Sequence, residues 1–255
     1  MTEKKEQFFK KHLLDLANRA YQENYPVFTD FMTTKEYAIL NKSKGQFSGV
    51  TAICFGGHED CSRMMGGFFP EDFMEDSLSM FPIVCIRAQV RNDKYAQSLT
   101  HRDYLGAILN LGIERSMIGD IRLRDQAAFI FCKGDFVSFI LDNFVMVKHT
   151  PIDCEILENA ADIPPQEYEK IQRTVASLRL DNVVAAMIGS ARKRAVELIT
   201  QGSVVAGHEE HTSVSFSCKQ DMIISIRGYG KYRLDIPPDS ITKKGKQKIN
   251  IYKYI

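Results

Sequence analysis

No apolar run in this 255-residue chain approaches the stretch of about 20 residues that a helix needs to cross a bilayer. Its first residues, M-T-E-K-K-E-Q-F-F-K-K-H, are charged from the third position and carry no signal-peptide core. The expected location is therefore the cytoplasm, with no membrane partner. None of the six cysteines (54, 61, 85, 132, 154 and 218) forms a C-x-x-C pair. Cys54, Cys85, Cys132 and Cys154 sit inside apolar, strand-like runs and read as buried free thiols in a reducing compartment. Cys54, His58 and Cys61 offer three metal ligands with no fourth at suitable spacing, so no metal is expected. The chain also lacks a G-x-S-x-G elbow, an H-E-x-x-H pair, a G-x-x-x-x-G-K-[ST] loop and a G-x-G-x-x-G loop. His101-Arg102-Asp103 resembles a kinase catalytic loop, but such a loop needs an Asn five positions after its Asp, and Ile108 stands there. The expectation is a protein that is not an enzyme and holds no cofactor.

What is present is a charge asymmetry. Residues 171–255 carry 14 Lys+Arg against 7 Asp+Glu, whereas residues 1–170 carry 19 against 25. A basic module that meets a polyanion, joined to a larger part with another task, fits that split. The basic excess coincides with the stretch 179–202, R-L-D-N-V-V-A-A-M-I-G-S-A-R-K-R-A-V-E-L-I-T-Q-G. Two short amphipathic helices meet there at a Gly-Ser turn, and the second opens on Arg192, Lys193 and Arg194. A helix N-terminus has unpaired N–H groups and a partial positive charge, so three cations there build a field suited to phosphate.

Along the chain, residues 1–22 read as an amphipathic helix and 33–40 as a second, with Thr33 and Glu36 in a capping-box pattern. From residue 49 strands and helices alternate. Strands are expected at 49–55, 64–69, 82–90, 152–157 and in a hairpin across 124–126, with helices at 100–112 and 134–147. Thr100 and Asp103 suit the start of the first of those helices. The order suggests an α+β sandwich of ferredoxin-like type. Pro164-Pro165 marks a boundary, a helix from 166 to 178 is expected beyond it, and short strands at 203–206, 212–217 and 222–227 are expected past the helix pair. The expected organisation is a helical region at 1–45, an α+β domain at 46–160, a linker helix at 161–178 and a basic module at 179–255.

The candidate nucleic-acid contacts are Arg179, Ser190, Arg192, Lys193, Arg194 and Gln201 on the helix pair. Lys219, Arg227, Tyr229, Lys231 and Arg233 follow on the strands, and Lys243 and Lys244 on the tail. Arginine forks pair bidentately with phosphate, and tyrosines stack on unpaired bases. His101 and Arg102, at a helix start, are a candidate second contact. The middle strands lack the K/R-G-F/Y-G/A-F stacking signature, so packing or protein contact is the expected use of that sheet.

The segment 179–202 resembles the S-four RNA-binding domain. Arg179-Leu180-Asp181, Ser190, Arg192, Ala195, Leu198, Ile199, Gly202 and Val204 follow its pattern, as do Asp221 and Ile223 further on. The departure is Ala206-Gly207-His208, where that family has a V-N pair. Residues 100–121, T-H-R-D-Y-L-G-A-I-L-N-L-G-I-E-R-S-M-I-G-D-I, resemble the bacterial YlmH family. So do F-G-G at 55–57 with Arg63 beyond, F-P-I at 81–83 and R-G-Y-G-K-Y at 227–232. That resemblance covers nearly the whole chain. It implies an N-terminal helical part, an RRM-like middle domain and a C-terminal S-four domain. It further implies binding to rRNA of the large ribosomal subunit and its tRNA, a role in rescuing stalled subunits, and a link to division-machinery proteins. Two other readings stay open: an RNA-modifying enzyme targeted by its S-four domain, and an adaptor for the division machinery.

Overall fold

The computed structural model describes residues 3–59, 61–92, 99–207, 209–238, 240–242 and 244–255. His208 and Lys243, both singled out above, lie outside the described residues. The chain divides into two compact units, Met1–Pro165 and Gln166–Ile255.

The first unit begins with α1 (Glu3–Glu23), β1 (Val27–Phe28) and α2 (Thr34–Ser43). Thr33 and Glu36 close the expected capping box: the Glu36 N–H donates to Thr33 Oγ1 at 3.3 Å, and the Thr33 N–H donates to Glu36 Oε2 at 2.7 Å. β2 (Thr51–Phe55) and β3 (Met65–Phe69) follow. They do not join the middle sheet, as the expected boundary at residue 46 implied. They pair with β1 in a three-stranded antiparallel sheet of order β1-β3-β2. The expected N-terminal helical region is thus half of a helix-and-sheet layer. Leu13, Leu16, Ala20 and Leu40 of the helices pack on Phe68, while Phe69, the next residue, belongs to a second cluster. The pleat sends neighbours to opposite faces, which is why M-G-G-F-F is buried throughout.

The middle domain runs β4 (Ile83–Val90), α3 (His101–Asn110), β5 (Ile118–Arg124), β6 (Ala127–Lys133), α4 (Val137–Asn143), β7 (Met146–Val147) and β8 (Thr150–Leu157). The five strands are antiparallel in the order β5-β6-β4-β8-β7. Without the short β7 this is the β-α-β-β-α-β arrangement of a ferredoxin-like domain, as expected. α3 and α4 contribute Tyr104, Ile108, Val137 and Ile140 to a core with Ile86, Ala88, Ile130 and Ile152 on one face of the sheet.

The opposite face, where an RRM stacks bases, is occupied. Cys85, Phe129 and Phe131 are buried there under Phe31, Met65, Phe69, Phe81 and Ile163. The Phe81 ring meets Phe28 at 5.0 Å and Phe55 and Phe69 at 5.6 Å between centroids, in tilted or edge-on contacts. Arg63 ties this layer together: it donates through Nε to the Ile118 carbonyl and through Nη2 to the Phe31 carbonyl, each at 3.1 Å. Its neighbour Ser62 donates its N–H to Asp120 Oδ2 at 2.6 Å. The F-G-G and Arg63 segments are therefore packing devices.

The second unit holds β9 (Tyr168–Val175), α5 (Leu180–Ile188), α6 (Arg192–Thr200), β10 (Val204–Ala206), β11 (Glu209–Glu210), β12 (Ile223–Ile226), β13 (Gly230–Asp235) and β14 (Gln247–Tyr254). The linker helix expected at 166–178 is instead strand β9. It pairs with β14 over eight positions, from Tyr168↔Tyr254 to Val175↔Gln247. Ile171 and Val175 stand four residues apart and share a face under either helical or strand periodicity, so the partner strand decides. The strand expected at 212–217 is irregular chain, whose Phe216 carbonyl accepts the Leu180 N–H at 2.8 Å. The six-stranded sheet has the order β11-β10-β12-β13-β14-β9. α5 and α6 cover one face, burying Leu180, Val183, Val184, Leu198 and Ile199 against Ile224, Ile226, Leu234, Ile249 and Ile251.

Candidate nucleic-acid interface

The α5–α6 turn is set by its backbone. Gly189 ends α5 at φ +61°, a left-handed cap that side chains disfavour, and its N–H returns to the Ala185 carbonyl. Ser190, exposed, follows with its N–H on the same carbonyl at 3.1 Å. α6 then starts at Ala191, which has no side-chain oxygen to cap the helix. Its first turn contains no acid. α2 and α3, by contrast, carry Glu36 and Asp103 there. The start of α6 therefore keeps its positive end uncompensated.

One buried carboxylate organises this corner. Asp181, at 0% exposure, accepts from Arg192 Nη2 at 2.6 Å and Nε at 3.0 Å, and from Arg179 Nη2 at 3.3 Å. Its Oδ1 also accepts the Asn182 N–H at 2.9 Å. The side chains of Arg192 and Arg179 remain 59% and 40% exposed, so one buried acid presents two arginines to solvent. Burial works to raise the Asp181 carboxyl, but Arg179 and Arg192 outweigh it and hold the group below the ordinary carboxylate range. A depressed folded value gives stability that is present above the unfolded value of about 3.9 and lost as pH falls through the folded one. Asp181→Asn should cost the protein about 1–3 kcal/mol at neutral pH through the weakened charged hydrogen bonds. Its stability should also respond less to acid below about pH 4 than the parent's. Urea unfolding at pH 7 and pH 3 measures both.

Arg194 points elsewhere. It donates to Glu197 Oε2 at 3.1 Å and to the Tyr229 hydroxyl at 3.5 Å. These contacts raise its pKa, the Tyr229 bond most. They also bring the R-G-Y-G turn, with exposed Arg227, to the first turn of α6. Lys193 is exposed and forms no ion pair with any described residue. The structure thus gathers Arg179, Ser190, Arg192, Lys193, Arg194, Arg227 and Tyr229 at one corner. It does not bring the remaining candidates there. Gln201 caps the far end of α6, about 13 Å away at 1.5 Å per residue. Lys219 lies in the turn before β12 and Lys244 in the loop before β14, both exposed. Lys231 and Arg233 stand on the outer sheet face over Tyr254 and Tyr252. Two features escaped sequence reasoning. Asp181 was visible only as part of R-L-D, because nothing local marks a carboxylate as buried. Tyr252 and Tyr254 alternate with Ile249 and Ile251, but their partners on β9 were hidden by the helical reading.

In the first unit, Thr100 donates its N–H and its hydroxyl to Asp103 at 2.9 and 2.8 Å, and Lys148 pairs with Asp103 at 2.8 Å. This acid has its capping role and no catalytic partner among these contacts. His101 and Arg102 are exposed at the helix start. The protein around His101, and the Arg115 guanidinium, lower its pKa. Burial pushes the thiols of Cys61, Cys85, Cys132, Cys154 and Cys218 up to about 12, and Cys54 to about 11. All six are protonated at neutral pH and poor nucleophiles.

A ferredoxin-like domain followed by a cationic helix pair on an antiparallel sheet defines a class of two-unit α+β proteins. Residues 82–161 match the family model described as "Putative RNA-binding domain in YlmH". Over 236 residues the chain is 29% identical to the ribosome-associated protein quality control protein P2 of Bacillus subtilis (strain 168), covering 91% of this chain and 89% of that protein. The structure of the cell division protein ylmH from Streptococcus pneumoniae matches with a TM-score of 0.51 at 20% identity, covering 64% of this chain and 98% of that one. The last likeness speaks for the fold alone. Residues 100–121 lie inside the segment that matches the YlmH domain model, and the chain is similar to the Bacillus protein over most of its length.

Proposed function

We propose that this protein is a non-enzymatic RNA-binding factor that associates with the large ribosomal subunit, contacts rRNA and tRNA there, and serves the quality control of stalled translation. The second unit acts as its S-four domain. One observation carries the reading: buried Asp181 fixes Arg179 and Arg192 beside the uncapped start of α6, where Lys193 and Arg194 add two further exposed cations. A rigid cluster of guanidiniums around a helix N-terminus grips phosphates at fixed spacing, which suits folded RNA. The Bacillus relative, similar over nine-tenths of this chain, supplies the ribosomal context through its name. Arg102 at the start of α3 is a second phosphate contact in this reading.

Sedimentation of a lysate through a sucrose gradient tests the proposal. The protein should travel with free large subunits at low salt and leave them as salt rises, because each neutralised phosphate releases counterions. A protein that stays at the top of the gradient at low salt, or follows the small subunit, refutes it.

A further inference from the structure

The outer face of the second unit's sheet carries a second pattern. Residues directly opposite across an antiparallel pair share a face, so β9 and β14 present four successive outward pairs. They are Tyr168/Tyr254, Lys170/Tyr252, Gln172/Asn250 and Thr174/Lys248. Three steps of two residues span about 20 Å. At one end three tyrosines meet: the Tyr168 ring lies 4.9 Å from Tyr254 and 6.1 Å from Tyr252, both edge-on. Three cations from neighbouring positions lie over the rings. Arg233 is 4.7 Å from the Tyr252 centroid and 5.5 Å from that of Tyr168, Lys231 is 4.6 Å from Tyr254, and Lys170 is 5.6 Å from Tyr252. At the other end Gln172, Thr174, Lys248 and Asn250, with Pro237 and Pro238, line a cavity of about 610 Å³. The acids beside this strip are engaged: Asp221 pairs with Arg233 at 3.5 Å, and Asp235 accepts from Asn250 at 2.7 Å and Gln220 at 2.9 Å.

We propose that this strip binds an unpaired run of RNA, stacking bases on Tyr168, Tyr252 and Tyr254 while Lys170, Lys231, Arg233 and Lys248 follow the backbone. Cross-strand aromatic pairs also stabilise a sheet, but threonine or valine would serve that purpose on a solvent face. Cation–π contacts add about 0.5–1 kcal/mol each at an exposed site, but sheet stability does not require them to be gathered at one end with a basic, polar strip running on from them. A basic track with interleaved aromatics is what single strands need, since every base has a face to stack and every linkage a charge. The covered sheet of the first unit cannot supply such a platform. The strip rests on the RNA-binding reading above and extends it: the helix corner holds folded RNA, and the sheet holds an adjoining single strand.

The test uses the full-length protein, a fluorescein-labelled ten-nucleotide oligouridylate and a folded ribosomal RNA hairpin, with binding read by anisotropy at low salt. Two variants are compared with the parent. Tyr252→Thr/Tyr254→Thr keeps strand-forming residues, and Lys170→Glu alters one exposed position. The parent should bind both RNAs. The tyrosine variant should bind the oligouridylate roughly 10- to 100-fold more weakly, and the lysine variant should weaken it as well, with hairpin affinity within about twofold of the parent. Unchanged oligouridylate binding in the lysine variant and a folded tyrosine variant overturns the proposal, as does a parent that binds the hairpin and ignores the oligouridylate. A parent that binds neither RNA refutes the underlying reading, and the strip falls with it.

Discussion

The variant Lys193→Glu/Arg194→Glu should bind folded ribosomal RNA about 100-fold more weakly than the parent at low salt. Its slope of log affinity against log salt should be shallower by about 2, close to one unit for each phosphate that is no longer neutralised. Arg192 is left in place on purpose. Removing it would strip buried Asp181 of its shortest bond and mix a folding defect with a binding defect. Lys193 and Arg194 carry no such burden. Lys193 makes no ion pair with any described residue, and Arg194 gives up a long 3.5 Å bond to the Tyr229 hydroxyl and a half-exposed pair with Glu197 that contributes at most about 1 kcal/mol. Glutamates in the first turn of α6 suit its dipole, which offsets the like-charge pairs they form with Glu197 one turn on, so the helix should change by no more than about 1 kcal/mol. Loss of RNA binding together with an unchanged melting temperature would therefore report the RNA-binding surface itself. Equal affinity and equal slope in the two proteins would show that the RNA does not lie on this corner.

Much of this architecture was legible because local signals and tertiary packing agreed. The boxes Thr33/Glu36 and Thr100/Asp103, the strand at 82–90, the hairpin across 124–126 and the Gly189 turn all form as their chemistry requires. The readings that changed are those where a short segment takes its state from a distant partner. β9 is a strand because β14, some 80 positions later in the chain, offers it an edge. β2 and β3 belong with β1 because the face of β6 bearing Phe129 and Phe131 needed cover. The cation triplet was legible as a group, but its division of labour was not. Arg192 braces a buried acid, Arg194 meets a turn 35 residues on, and Lys193 faces solvent. Burial assigned those roles, and one dimension does not display it.

Gly57→Ala should be a strongly damaging small substitution in the first unit. Gly57 sits at φ +95°, where any side chain strains the backbone, and an added methyl carbon would lie 2.6 Å from Phe131 Cδ1 and 2.8 Å from Ile83 Cγ2. Phe131 is buried within the aromatic cluster that covers the middle sheet, so it cannot swing aside cheaply. Strain and overpacking together should cost about 2–5 kcal/mol, a fall in melting temperature of roughly 5–15 °C for a unit of this size. Gly106→Ala makes the same chemical change with the opposite sign. Gly106 lies within α3, and nothing stands within 4 Å of the position its methyl would take. Alanine there should stabilise the helix by about 0.5–1 kcal/mol. Calorimetric melting of both variants measures the pair. If Gly57→Ala melts with the parent, the packing of F-G-G against Phe131 is wrong, and so is the claim that this segment seals the sheet face that an RRM would leave open for RNA.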